Sequence, residues 1–470
     1  MGRDSGAPSA STTFALLLGL GAFVVFFLAR PLLWAQGPYY GPRASTGNDY
    51  WYVVAAAFIP YGLALRAYRR GARPSARTLF IGAAVLYVAL IPAAAQQSQD
   101  VYQTLLYAKM ALAGHNPYVV YPATLHDPWR AWTLWDNTRS VYGPVWTMLT
   151  MGVVRMSGNS LTAAFLMLKA ATAALALLAT WTLTRAVSVT AGRSGGGVRT
   201  DAGFTILAFA YNPMVLFSVG LGAHADIGVA AALGAAVLAE RKGHSVLTTM
   251  FLAVAALVKA YSGLALLAWL IYLVRRRGAR TAAAHSFAAT VLAAVCYVPF
   301  WDGLKTFGGV AGVGRTASGS LTGSLMRVMS GHLSDGAAAG SSPAGAVIRI
   351  AAGLLLILAV VHAARSQRAD EEPWRAAALM FGAYALLTPW YLSWHLIGLV
   401  ALAAVVADES VTGVTLVFSG TSLFVGFGGT PVGLFAQTVV RYAPPLIKAR
   451  QKERRRRDSN PGTSITPLTA

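Results

Sequence analysis

The residues able to do chemistry are few, and most stand at breaks between apolar runs. Asp100 directly follows one such run. It opens a segment that carries Tyr102, Tyr107, Asn116, Pro117, Tyr118, Trp129, Trp132, Trp135, Asp136, Arg139 and Tyr142. His224 and Asp226 stand two apart at a second break, Lys259 interrupts a third run, and Pro389-Trp390-Tyr391 with Trp394-His395 marks a fourth. Ionisable groups at membrane depth are costly and by default mark a function. An acid, a cation and aromatic faces together suit sugar transfer from a lipid-linked phosphosugar. A carboxylate such as Asp100 can accept the proton of an attacking hydroxyl. Lys259 or Arg139 can hold a phosphate and offset leaving-group charge, and aromatic faces stack on sugar rings. Each residue taken singly has a plainer reading: a solvated helix-end acid, a capped turn, a snorkelling lysine or an aromatic belt. Convergence on one face favours the functional reading.

The elements that must position these residues follow from composition. The chain has 470 residues, 56% of them hydrophobic and only 12% charged, against roughly a quarter charged in soluble domains. Apolar runs long enough to span a bilayer recur along the whole length. The net charge of +21 is concentrated in short connecting segments and the tail. That is the positive-inside pattern and argues against nucleic-acid binding. Cys296 is the single cysteine and forms no internal disulfide.

Spans are expected near residues 12–34, 51–66 and 79–95, with Arg66, Arg69, Arg70, Arg73 and Arg77 making the loop between the last two cytoplasmic. Residues 96–140 then lie outside. The stretch 143–157 reads as a re-entrant or juxtamembrane helix, because a further crossing would place Arg185, Arg193 and Arg199 on the wrong side. Spans follow near 160–185 and 203–220, and a return span leads to Glu240, Arg241 and Lys242. Residues 245–274 split into two short helices with Lys259 at the outer turn. Further spans are expected near 283–300 and 346–364, flanking a Gly/Ser-rich outer loop, and near 374–390, 395–407, 411–427 and 432–448. The prediction is an all-α polytopic bundle of about 12–14 crossings with both termini cytoplasmic. Residues 1–78 form N-terminal spans and a basic loop, 79–440 a catalytic core, and 441–470 a basic disordered tail.

Soluble catalytic motifs are absent: there is no P-loop, no HExxH and no paired CxxC. No metal site is assigned. His224 and Asp226 with Asp100 leave a divalent metal open, although three scattered groups are a weak signal.

The stretch Gln99-Asp100-Val101-Tyr102 through Gly114-His115-Asn116-Pro117-Tyr118, followed by Tyr142-Gly143-Pro144, resembles the first outer loop of the actinobacterial polyprenol-phosphate-mannose-dependent alpha-1,6-mannosyltransferases, membrane enzymes of the glycosyltransferase C class. Asn212-Pro213 with Gly222-Ala223-His224-Ala225-Asp226 is similar to the second outer turn of that family, where His-Asn-Asp is more usual and Ala225 here replaces the Asn. Leu257-Val258-Lys259-Ala260-Tyr261 resembles its phosphate-facing lysine turn, and Pro389-Trp390-Tyr391-Leu392-Ser393-Trp394 its late Pro-Trp-Tyr segment. The resemblance covers roughly residues 80–410. It implies the fold of that class, with Asp100 as catalytic base and Lys259, with Arg139, on the donor phosphate. Tyr102, Tyr118, Tyr142, His224, Asp226, Trp390 and Tyr391 are then expected at the substrate. It also implies a polyprenyl-phosphate sugar, mannose, as donor, a glycan or glycolipid acceptor, an inverting alpha-1,6 transfer of the lipomannan core type, and a plasma-membrane site facing outside. Another lipid-linked sugar, arabinofuranose or glucose, stays open. A transporter or flippase is the reading from a different class; repeated halves and polar groups at the midplane would favour it, and neither is seen.

Overall fold

The computed structural model describes residues 10–33, 49–191, 201–366, 372–406 and 408–422, together with positions 444, 445, 448 and 451. The span expected at 432–448 and the tail arginines therefore lie outside the described residues, save for those few positions. Within them the protein is all-helical, with one isolated bridge between Asp302 and Leu304 and no strand.

The first helices are α1 (Ala10–Leu33), α2 (Asp49–Arg69) and α3 (Ala76–Ala89). Ser75 caps α3 by accepting from the Thr78 amide at 3.1 Å; a capping hydroxyl satisfies a donor that a helix start leaves open. The next stretch holds α4 (Asp100–Leu112), two 3₁₀ turns, and α5 (Pro144–Met156). At 13 residues, α5 extends only about 20 Å, too short to cross a bilayer alone.

Next come α6 (Leu161–Ala191), α7 (Ala202–Phe209), α8 (Pro213–Gly222) and α9 (Asp226–Arg241). The single span expected at 203–220 is in fact two helices bent by 53°. The cause is local: Pro213 cannot continue a helical hydrogen-bond ladder, and the Asn212 side chain turns to accept from the Met214 amide at 3.0 Å. Its amide group then donates to Ser419 at 3.0 Å, which fixes the bend against a distant helix.

From Asp226 to Gly234 every residue of α9 is buried. A helix apolar on all sides belongs at a centre, and α9 packs on α6, α10 (Ser245–Val258) and α18 (Ile397–Ala403). Together with α11 (Gly263–Arg277), α10 is the pair expected from residues 245–274. The break is at Lys259, whose backbone is extended at φ −147° and ψ 125°. The apolar residues 283–300 form α12 (Ala279–Tyr297) and a 3₁₀ turn. The Gly/Ser-rich segment that follows is not a plain loop. It folds into α13 (Gly308–Val313), α14 (Leu321–Ser330) and α15 (Gly336–Ser341), with a small core of its own around Ala317, Met326 and Ala339. α16 (Pro343–Ser366), α17 (Trp374–Leu387) and α19 (Glu409–Thr421) complete the described bundle.

Four described helices are long and apolar enough to cross a membrane, or five if the bent pair counts as one span. This is fewer than the 12–14 expected. The apolar runs are real, but Lys259, the Asn212-Pro213 pair and the Trp390–Ser393 segment interrupt them, so several fold as helices shorter than a single crossing requires.

Candidate active site

Four chain breaks meet at one end of the bundle. Asp100 is the first residue of α4, His224 and Asp226 flank the turn from α8 to α9, Lys259 separates α10 from α11, and Trp394 and His395 precede α18. Polar side chains gather there because helix ends leave backbone groups unpaired and cannot sit in a purely apolar layer.

The centre is a buried ion pair. Lys259 Nζ donates to Asp226 Oδ2 at 2.7 Å, and the Tyr261 hydroxyl donates to Asp226 Oδ1 at 2.7 Å. The Asp226 side chain is 0% exposed and that of Lys259 11%. Both carboxylate oxygens are thus occupied, which is what a buried charge requires. A lysine ammonium has three donors, so one bond to Asp226 leaves two others on a side chain that is partly exposed. Lys259 also lies over the Tyr142 ring, 5.9 Å from its centroid.

Asp100 stands beside this pair with its side chain 17% exposed. Its Oδ2 is 3.6 Å from His224 Nδ1, and Nε2 of the same imidazole meets Gln97 Oε1 at 3.1 Å. Gln97 is held in turn by donating to Ser218 at 3.0 Å. The imidazole stacks on Trp394 at 3.8 Å and 12°. Burial, with the Lys259 charge nearby, holds the imidazole well below its ordinary pKa, so His224 is neutral and the Asp100 contact is not an ion pair. Burial pushes the Asp100 carboxyl up to about 6, and Asp226 adds to the rise. Lys259 and donation from Trp135 and Ser98 oppose it. A carboxylate of that pKa is largely ionised at neutral pH yet basic enough to take a proton.

Close approach ties the segment ahead of α5 to the lysine turn. The Gly143 amide donates to the Val258 carbonyl at 2.9 Å. A Cβ on Gly143 would stand 2.0 Å from the Leu257 carbonyl oxygen, so only glycine fits.

The other expected residues divide. Tyr142 faces the pair. Trp390 stands edge-on to Trp135 at 5.9 Å, at the rim near Asp100. Tyr102 is stacked on Phe165 at 5.5 Å and tilted on Trp132. Tyr118 packs on Phe300 and shares a 2.8 Å hydrogen bond with Thr147, and Tyr391 is stacked on Phe418 at 5.9 Å. All three are buried and act as walls behind the site. Arg139 lies over the Tyr121 ring at 4.5 Å and against Gly308; among the described contacts it does not join the Asp226–Lys259 pair. Sequence reading passed over Tyr261, Gln97 and Tyr384, which stacks on Tyr261 at 5.2 Å. The polar run Gln96-Gln97-Ser98-Gln99 at the end of an apolar span was a usable signal for Gln97. Among the described residues no three His, Cys, Asp or Glu side chains group as a metal would need.

Residues 12–275 match the family profile described as alpha-(1->6)-mannopyranosyltransferase, N-terminal domain. Alpha-(1->6)-mannopyranosyltransferase A of Mycobacterium tuberculosis is 27% identical over 237 residues, a match covering 48% of this chain and 43% of that protein. The chain therefore aligns with under half the length of the curated relative it matches. Two crystal structures of the Archaeoglobus fulgidus oligosaccharyltransferase, one apo and one tethered to an acceptor peptide, align over 80% of this chain at 11% and 12% identity. They cover 56% and 55% of those chains, with TM-scores of 0.38 and 0.36. A likeness that low carries no argument about the site.

Proposed function

We propose, from the premise that the chain belongs to the alpha-(1->6)-mannopyranosyltransferase family, that this membrane protein transfers mannose from a polyprenyl-phosphate-mannose to a hydroxyl of a glycan or glycolipid at the outer face of the plasma membrane, with both termini cytoplasmic. The acceptor oxygen attacks the anomeric carbon and the bond from that carbon to the phosphate oxygen breaks, inverting the centre and leaving an alpha-1,6 link. Asp100 takes the hydroxyl proton. The free ammonium donors of Lys259 hold the departing polyprenyl phosphate, whose charge they offset. Tyr142 and Trp390 supply faces for the sugars, and Trp394 holds His224 in place behind Asp100.

The observation that carries this reading is the pairing of a partly open carboxylate, with its pKa raised to about 6, with an anchored lysine at the same bundle end. General-base assistance contributes about 10² to 10⁴ in rate. Membranes containing the wild type are expected to transfer label from radiolabelled polyprenyl-phosphate-mannose, and Asp100→Asn at equal protein level to lose transfer by that order. Near-normal turnover of the variant would remove the base assignment. Labelled arabinofuranosyl or glucosyl donors, used in preference to mannose, would replace the sugar.

A further inference from the structure

At the opposite end of the bundle from Asp100 lies a cavity of about 630 Å³ between α2 and α19. The two ends are fixed by the chain itself. α3 runs from the loop after Arg69 toward Asp100, and α7 with α8 runs from Asp201 to His224. Asp201 marks the basic end, since it accepts from the Tyr68 hydroxyl at 2.6 Å and pairs with Arg73 at 3.6 Å.

The cavity is two-part. Its length is apolar, lined by Phe58 and Leu65 of α2 and Leu416 and Val417 of α19. Glycine keeps it open: a Cβ on Gly420 would touch the Phe58 ring at 3.3 Å, and the Lys448 stem lies 3.0 Å from where a Gly413 Cβ would be. Its mouth carries Arg66, Arg69, Arg70 and Lys448. Arg69 is engaged with the Phe204 ring at 5.3 Å. Arg66 and Arg70 are exposed and make no ion pair among the described residues.

A slot of this size falls within the usual ligand-pocket range of about 300–1,000 Å³. Apolar walls leading to several guanidinium groups fit one chemistry, an acyl chain ending in a phosphate. Arginine matches phosphate oxygens in a bidentate fork, and basic pockets between spans on the cytoplasmic side suit anionic headgroups. We infer that this groove is a binding site for an anionic phospholipid of the surrounding leaflet, with its phosphate at Arg66 and Arg70 and an acyl chain between Phe58 and Leu416.

The test uses the purified full-length protein, delipidated in neutral detergent. Phosphatidylglycerol, phosphatidylcholine, polyprenyl phosphate and inorganic phosphate are each titrated, with bound lipid read by native mass spectrometry and stability by thermal melting. The wild type is expected to prefer phosphatidylglycerol to phosphatidylcholine by tenfold or more. Arg66→Gln with Arg70→Gln is expected to erase that preference, at about fivefold per arginine. Leu416→Trp, which fills the slot but keeps the charges, is expected to lose the bound lipid as well. Both variants are expected to keep mannosyl transfer in phosphatidylcholine vesicles, which checks their folding. An unchanged preference in either variant overturns the site: in the first the arginines are not the contact, in the second only surface charge is at work. A melting shift given by inorganic phosphate alone, or displacement of phosphatidylglycerol by polyprenyl phosphate at equal concentration, overturns the assigned occupant.

Discussion

In the proposed transfer Asp100 and Lys259 divide the work: burial raises the carboxyl pKa of the first, and the Asp226 carboxylate anchors the ammonium of the second. With the Asp100 carboxyl raised to about 6, the base form fills above that pH. The kcat/KM for mannosyl transfer is therefore expected to fall about tenfold per pH unit below 6 and to level off above it; a limb centred near 4 would show that burial does not tune this acid. Linkage gives an independent readout. The folded state binds the Asp100 proton more tightly than the unfolded chain, so its contribution to stability is present at low pH and declines as pH rises from the ordinary carboxyl range through about 6. Asp100→Asn is then expected to melt no lower than the wild type at pH 7 while losing transfer. Lys259 is anchored differently. Removing one member of a buried pair typically costs about 3–5 kcal/mol, a cost that Lys259→Ala and Asp226→Asn both carry, so kinetics are compared at equal amounts of folded protein. Asp226→Asn keeps the shape and the Tyr261 contact but frees the ammonium. It is expected to raise the donor KM several-fold more than it lowers kcat, measured by varying the polyprenyl-phosphate-mannose.

At the scale of elements, the site depends on helices that stop early. Asn212-Pro213 bends α7 from α8, Lys259 parts α10 from α11, and Gly143 lets the start of α5 touch that second break. Gly143→Ala is expected to destabilise the protein by about 1–3 kcal/mol, the usual cost of overpacking, and to lower transfer by displacing Lys259. Gly152→Ala, on α5 with nothing within 4 Å of its new Cβ, is the control. It is expected to be neutral or slightly stabilising, since alanine is favoured over glycine inside a helix by about 0.5–1 kcal/mol. Equal melting temperatures for the two variants would deny the close contact. The Lys259 break was legible in the sequence, because a lysine within an apolar run has few other meanings; the Asn212-Pro213 bend was not, since residues 203–220 read as one span. Nor were the small helices at residues 308–341. Their glycine and serine content resembles a loop, and packing around Met326 together with caps from Ser320 and Asp335 orders residues 317–341.

For the molecule as a whole, the proposed orientation places Leu134, 71% exposed, outside, and the exposed Lys242 inside. In a Cys296→Ala background, Leu134→Cys is expected to react with an impermeant maleimide on intact cells and Lys242→Cys only after permeabilisation; the reverse pattern would invert the topology. By itself the sequence determined the membrane class, the all-helical architecture and the candidates Asp100, His224, Asp226 and Lys259. Hydropathy, charge asymmetry and helix breaks are local properties, and each is written within a window of about twenty residues. The tertiary structure alone decided which candidates meet. Asp226 and Lys259 are 33 residues apart and His224 and Gln97 are 127 apart. The same packing turned Tyr102, Tyr118 and Tyr391 into walls and set Arg139 on Tyr121. An aromatic or a cation looks alike in sequence whether it faces a substrate or a neighbouring helix, and the difference is made by contacts between segments far apart in the chain.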